Sequence, residues 1–206
     1  MNHYFCSGRI VRMRRLIYFV ATTIDGRIAG PEGQTDFFPL AGAHIAAQVE
    51  QLPETLPRHV REALDVPERQ ARFDSVVMGR GTYQPALSAG ITHPYAPLET
   101  VVFSRALPER SDGDLRITSA DPRRVVQELK ERPGQDIWLC GGADLASQLA
   151  DEIDELIVKV NPVLAGDGIP LLRGAFRPQA FVLRHHEVFS SGVAWLRYER
   201  ADGSDR

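Results

Sequence analysis

Apolar residues in this chain come in short unbroken runs separated by longer amphipathic stretches, and the two kinds alternate. Leu16–Thr22 is a continuous apolar run that stops at Asp25-Gly26, the pattern of a central strand entering a turn. Arg27, Ile28 and Ala29 extend it before the loop Gly30-Pro31-Glu32-Gly33. Residues 44–51 are helical in pattern, with Ile45 and Val49 four apart, and Pro53 and Pro57 break them from a second helix at 58–64. Residues 75–78 form a buried-type strand that enters the turn Gly79-Arg80-Gly81-Thr82. Residues 83–97 hold Pro85, Gly90, Pro94 and Pro97, which predicts a loop after at most a short helical turn.

Further on, residues 100–103 and Leu115–Thr118 are β-branched runs. Asp121-Pro122 places a side-chain cap before a proline at the first helical position. Val125, Val126 and Leu129 line that helix, and Pro133-Gly134 ends it. Residues 137–140 are again apolar, Gly141-Gly142 break the run, and 143–149 open an amphipathic helix. Residues 155–160, 181–189 and 193–199 are the last strands, with Ser190-Ser191-Gly192 turning between the final two. The pattern predicts an α/β fold: a mostly parallel central sheet of about eight strands, covered on both faces, with an antiparallel C-terminal hairpin.

With 206 residues, 43% of them hydrophobic, the chain suits one domain with a sizeable core. Residues 14–200 are read as that domain and 201–206 as a polar tail. Residues 1–13 show no period and read as an extension, either disordered or a product of start-site choice, with Met13 as the second start. A net charge of −3 excludes a general nucleic-acid binder, which needs a basic face. No apolar run approaches a membrane span of roughly 20 residues, so a cytoplasmic protein without a membrane partner is expected. Cys6 and Cys140 are too few for a disulfide framework.

The candidate chemistry lies where strands end. A strand passing through Gly141-Gly142 into the helix at Ala143 gathers backbone N–H groups and the positive end of a helix dipole, which suits a phosphate. Gly79, Arg80, Gly81 and Thr82 form a second turn of this kind, and Ser104-Arg105 end a third strand. A guanidinium grips phosphate as a two-pronged donor. Two glycine turns and two arginines therefore fit a ligand with a pyrophosphate and a further monophosphate, and NADPH is such a ligand. The spacing is not that of the Rossmann fingerprint. Asp25, at the end of the first strand, and Asp36 are the candidate substrate-contacting or catalytic acids. His93 and Tyr95 read as loop packing, Asp167 as a turn residue, and His185-His186 lack further ligands for a metal.

Val76 to Tyr83 (VVMGRGTY), Val101 to Arg105 (VVFSR) and Ile137 to Leu145 (IWLCGGADL) resemble, in order and separation, the three cofactor segments of the dihydrofolate reductase fold. Phe19 to Gly30 (FVATTIDGRIAG) and Asn161 to Leu172 (NPVLAGDGIPLL) are similar more specifically to the riboflavin-biosynthesis reductase domain and its stand-alone relatives. The resemblance implies a three-layer sandwich, NADPH bound across the sheet, a small-molecule substrate and a homodimer. It places Gly79, Arg80 and Thr82 at the pyrophosphate and adenosine side, Ser104 and Arg105 near the adenosine 2′-phosphate, and Gly141, Gly142 and Ala143 under the pyrophosphate and nicotinamide ribose.

The substrate half departs from both patterns. The first helix offers Glu50, His44 and Gln48, none matching the carboxylate that holds a pteridine. Gly33-Gln34-Thr35-Asp36-Phe37 stands where the riboflavin enzyme carries a Ser and a Trp. The expectation is an NADPH-dependent reductase of a small heterocycle or carbonyl compound, pterin- or riboflavin-precursor-like. The alternative is a non-catalytic nucleotide- or flavin-binding module of the same fold.

Overall fold

The computed structural model describes residues 4–6, 9–11 and 13–201. Strands β1 (Tyr4–Cys6) and β2 (Arg9–Val11) pair antiparallel with one another in a sheet of their own. Residues 1–3, 7, 8 and 12 of the extension expected at 1–13, and residues 202–206 of the expected tail, lie outside the described residues.

The apolar run becomes β3 (Leu16–Thr22), followed by β4 (Arg27–Ala29) and helix α1 (Ala43–Gln51). A 3-10 turn (Pro53–Thr55), α2 (Arg58–Ala63), β5 (Phe73–Gly79) and α3 (Arg80–Ser88) come next. β6 (Glu99–Phe103), β7 (Arg110–Asp112), β8 (Leu115–Thr118) and α4 (Pro122–Glu131) lead to β9 (Asp136–Gly141) and α5 (Ala143–Gln148). β10 (Ile153–Val160), β11 (Ile169–Pro170), β12 (Phe181–Val188) and β13 (Ala194–Arg200) complete the chain.

Nine strands form one sheet in the order β12-β13-β10-β3-β9-β5-β6-β8-β7. The strands from β10 to β8 are parallel, and the terminal hairpin and β7 are antiparallel additions at the two edges. Strands buried on both faces read as unbroken apolar runs, which is why β3, β5 and β9 were visible in sequence. One face packs Phe19, Trp138, Phe189 and Trp195 beneath α1. The other packs Tyr18, Val77 and Leu139 against Val125, Val126 and Leu129 of α4 and Leu145 of α5. These two apolar layers about a sheet make the three-layer, dihydrofolate reductase-like sandwich.

Local expectations need four corrections. The sheet has nine strands, because exposed β7 carries no apolar pattern and exists only by pairing with β8. Residues 27–29 do not prolong β3; they turn at Gly26 and pair with β11, a strand too short to show a period. Residues 79–82 are not a free turn, and 83–97 are not all loop, because α3 begins at Arg80 and runs to Ser88. Pro85, the sixth helical residue, forgoes one hydrogen bond. Buried Tyr83 and half-buried Leu87, four apart, hold the helix to the core, and the Tyr83 hydroxyl donates to the Thr92 carbonyl at 2.6 Å.

The segment between α1 and β5 is pinned by one carboxylate. Glu54 is buried, and its Oε1 accepts the N–H groups of Arg72 (2.7 Å) and Phe73 (2.9 Å) at the start of β5. Both amides lie at the head of β5, so Glu54 helps set where that strand begins.

Candidate functional site

Because β3, β5, β6, β8, β9 and β10 run the same way, their carboxyl ends share one edge of the sheet, where open α/β sheets bind ligands. The two glycine turns meet there. A Cβ added at Gly79 would sit 3.8 Å from the Gly141 carbonyl oxygen and 3.9 Å from the Gly142 nitrogen. Thr82 Oγ1 lies 3.4 Å from the equivalent point on Gly142 and 3.7 Å from that on Gly141. The Gly141-Gly142 peptide is cis, and Gly141 has φ +122°, a conformation open mainly to glycine. Behind it, the Tyr18 hydroxyl donates to the Leu171 carbonyl at 3.2 Å, and burial raises its pKa well above the ordinary phenol value, so it stays a phenol. Ala143 is buried as the first residue of α5.

α3 starts at the end of β5 with Gly79 as its cap and no side-chain acceptor. The N–H groups of Arg80, Gly81 and Thr82 therefore lack intrahelical partners and face outward at the positive end of the helix. A Cβ at Gly81 would meet nothing within 4 Å, so the approach to these donors is open. Arg80 is exposed and makes no hydrogen bond or ion pair with a described residue. Arg105, at the tip after β6, is also exposed and also without such a partner. Ser104 is buried, and its Oγ accepts the N–H groups of Ala106 (3.1 Å) and Leu107 (2.9 Å). This fixes the direction in which Arg105 is presented and leaves the hydroxyl proton available. Open amides, glycines without steric bulk and two unpaired guanidinia are a donor set that fits a phosphate-rich ligand.

The two acids are not brought together. Asp25 accepts the Thr23 hydroxyl at 2.6 Å and the N–H groups of Ala165 (3.1 Å) and Gly166 (2.8 Å), with Arg27 Nε 3.9 Å away. The Thr23 hydroxyl and the amides of the loop after β10 depress its pKa to about 2. Asp25 is thus ionised at neutral pH and clamps loop 161–168 to the end of β3; in this state it is an acceptor and holds no proton to give. Asp36 is exposed in a turn and has no partner among the described residues. Of the other polar candidates, His93 bonds the Leu98 carbonyl and Thr100, both at 3.1 Å. His44 links the Pro39 carbonyl (3.1 Å) to Ser191 (2.9 Å). Asp167 accepts the N–H of Gly168 at 2.7 Å. His185 and His186 lie on outer strand β12, and no group of three metal-ligating side chains occurs among the described residues.

Beside the glycine turns, on the face covered by α1, lies a group that sequence reasoning passed over. Phe19, Trp138, Phe189 and Trp195 make an aromatic floor with ring centroids 5.6–6.3 Å apart, and Tyr95 stands edge-on to Trp138 at 4.8 Å. Cys140 Sγ is 4.0 Å from the Tyr95 hydroxyl, and burial pushes the thiol up to about 12, leaving it protonated and inert. Lys159 reaches over this floor, with Nζ 4.6 Å from the Phe19 centroid and 2.9 Å from Gln48 Oε1. Its signal in sequence was a lone cation inside the apolar run of β10.

A cavity of about 600 Å³ lies elsewhere, beside Arg15, Arg72, Asp136 and Arg197 at the amino ends of β3 and β9. Its arginines are already committed. Fully buried Glu155 is met by Arg15 at 3.1 Å, Arg72 at 2.7 Å and Arg197 at 2.6 Å. The carboxyl edge, with its free donors, is the candidate site.

Residues 14–195 match the RibD C-terminal domain, and the chain belongs to that family. The uncharacterized protein YwjB of Bacillus subtilis (strain 168) is 26% identical over 190 residues, covering 91% of this chain and 99% of that protein. A provisionally named riboflavin biosynthesis protein from Shewanella sp. PV-4 shares the fold with a TM-score of 0.67 at 23% identity, over 91% of this chain and 99% of that one. The diaminohydroxyphosphoribosylaminopyrimidine deaminase/5-amino-6-(5-phosphoribosylamino)uracil reductase of Thermotoga maritima gives a TM-score of 0.59 at 15% identity, over 92% of this chain and 57% of that one. These likenesses establish a reductase-type fold.

Proposed function

We propose that the chain is an NADPH-dependent reductase of a small planar heterocycle or conjugated carbonyl compound. The observation that carries this reading is the meeting of Gly79–Thr82 with Gly141-Gly142 beneath the open head of α3, flanked by unpaired Arg80 and Arg105. The N–H groups of Arg80, Gly81 and Thr82 and the Arg80 guanidinium hold the pyrophosphate. Arg105, aimed by the Ser104 turn, takes the 2′-phosphate and selects NADPH over NADH. Gly141 and Gly142 carry no side chain, so the ribose and ring approach the backbone. When bound, the cofactor supplies a hydride, and the remaining work of the protein is positioning and proton supply. Asp25 serves as a positioning residue that holds loop 161–168 at the rim.

A binding module without turnover is the second reading. It is favoured by the state of the two acids: Asp25 is ionised and engaged, and Asp36 meets no other candidate group. Titration with NADPH, followed by nicotinamide fluorescence, tests the cofactor assignment. Micromolar binding that weakens about tenfold or more in Arg80→Ala and in Arg105→Ala is expected, from the size of a charge-assisted hydrogen bond. Binding indifferent to both changes would refute it. NADPH that binds but is never oxidised across pterin, pyrimidine and quinone panels favours the module.

A further inference from the structure

The chain has 24 basic residues, and 22 of them are arginine. The two lysines have opposite settings. Lys130 is paired with Glu152 (3.7 Å) and Asp154 (2.7 Å). Lys159 has no carboxylate partner among the described residues; its ammonium meets a π face and one amide oxygen. Arginine stays charged throughout the accessible pH range, whereas lysine can surrender its proton when desolvated. A chain built almost wholly on arginine thus carries a titratable cation at this one apolar position.

The surroundings are organised for it. Gln48 is buried on α1, and its Nε2 donates to Thr55 Oγ1 (2.9 Å), which donates to the Leu52 carbonyl (2.7 Å). This relay fixes the amide so that Oε1, not the nitrogen, faces Lys159. The oxygen takes one ammonium hydrogen and the Phe19 face a second, leaving a third without an acceptor among the described residues. Of the titratable groups around Lys159, Cys140 of β9 is held neutral by burial, as is Tyr95, which contacts that thiol; Glu187 of β12 shares the cross-strand row beyond Trp195 and accepts from Gln51 Nε2 at 3.3 Å. Burial lowers Lys159 itself from 10.5 to about 8. Lys159 pairs with Ala21 of β3 in the ladder, and β3 lies beside β9, which ends at the glycine turn. Two strand spacings separate Lys159 from that turn, about 10 Å, the span of a planar ring beside a nicotinamide.

The geometry points to Lys159 as the residue that binds, and then protonates, the oxygen or nitrogen of a planar heterocyclic substrate that becomes anionic as hydride arrives. This rests on the reductase reading above and adds the proton donor that neither Asp25 nor Asp36 supplies. The hydride of NADPH adds to carbon of a C=N or C=O group, and the π pair moves to the heteroatom. One N–H bond of the Lys159 ammonium breaks as the heteroatom gains the proton. NADPH is oxidised to NADP, the substrate is reduced, and the neutral amine regains a proton from water. Gln48 is the positioning residue.

The test uses full-length protein with its lysines and N-terminus ¹³C-methylated, so that NMR follows few amines, and Lys159→Arg removes and assigns one signal. Without ligand, the Lys159 signal is expected to titrate at least one pH unit below that of Lys130; co-titration overturns the proposal. Addition of 5-nitrouracil, an anionic pyrimidinedione, with NADP should shift the Lys159 signal and raise its midpoint. An unmoved signal, or 5-nitrouracil binding to Lys159→Met within twofold of the parent, overturns it. NADP affinity should be unchanged in Lys159→Met. If neither NADP nor NADPH binds the parent, the reductase reading fails, while the ligand-free titration and 5-nitrouracil alone still judge Lys159 as an anion-binding amine. Lys159→Arg, which keeps charge but cannot release a proton, should bind 5-nitrouracil and lose turnover at least 100-fold; retained turnover refutes the proton transfer.

Discussion

Replacing Lys159 by Met removes a charge that the fold holds at a loss, and the size of that loss follows from its position. Desolvation brings the ammonium from 10.5 to about 8, and at about 1.4 kcal/mol per pH unit the protonated native state is disfavoured by about 3 kcal/mol at pH 7. Against this, the variant strands Gln48 Oε1 and loses the contact with the Phe19 ring, together about 2 kcal/mol. Met keeps most of the stem packing, so Lys159→Met should be more stable than the parent at pH 7 by about 1 kcal/mol. The pH dependence is the sharper test. Between pH 8 and 10.5 the unfolded chain binds the proton that the native state has released, so parental stability rises through that window. The variant lacks the rise, and its advantage should shrink by about 2–3 kcal/mol, changing sign by pH 10. Urea unfolding of both proteins at pH 7, 8.5 and 10 reads the difference, in which other titrating groups cancel. A variant less stable at pH 7 by more than 1 kcal/mol, with a gap that does not move with pH, would show that Lys159 is an ordinary packed cation.

Four further outcomes are expected. Glu54→Ala frees the buried amides of Arg72 and Phe73 and should lower stability by about 2–4 kcal/mol in urea melts, with loss of exchange protection at the start of β5. Gly168→Ala should also destabilise, by about 2 kcal/mol or more, because φ is +136° and the new Cβ would lie 2.3 Å from the Ala29 carbonyl oxygen; thermal melting checks it. Gly81→Ala has open space and a helical setting, so stability should hold or rise by up to about 1 kcal/mol while NADPH affinity falls, since the methyl intrudes on the α3 amides. The Asp25 contribution is present above its unfolded value of 3.8 and is lost as pH falls towards about 2. Asp25→Asn should therefore speed hydrogen exchange at Ala165 and Gly166 at pH 7 while leaving the parent's own rates at pH 2 little changed by the substitution.

Much of this molecule was legible in its sequence because local patterns report local physics. Strands covered on both faces must be apolar throughout, so β3, β5 and β9 stood out, and the Asp121-Pro122 start of α4 declared itself through its cap, the Asp121 carboxylate accepting the Arg123 N–H at 2.9 Å. Elements that exist only through pairing, such as β7 and β11, carried no such mark. The length of α3 was hidden for a related reason: proline is read as a breaker, and only the packing of Tyr83 and Leu87 shows why it is tolerated.

By itself the sequence determined the sheet-and-helix alternation and the residue types able to grip phosphate, since both depend on side chains near in the chain. The tertiary structure alone decided that Gly79 touches Gly141-Gly142 across 62 positions, that Asp25 spends its charge on loop 161–168, and that Lys159 lies unpaired over Phe19 and beside Gln48. Those facts depend on strand order, and a parallel order is set by the burial of whole faces rather than by any segment read alone.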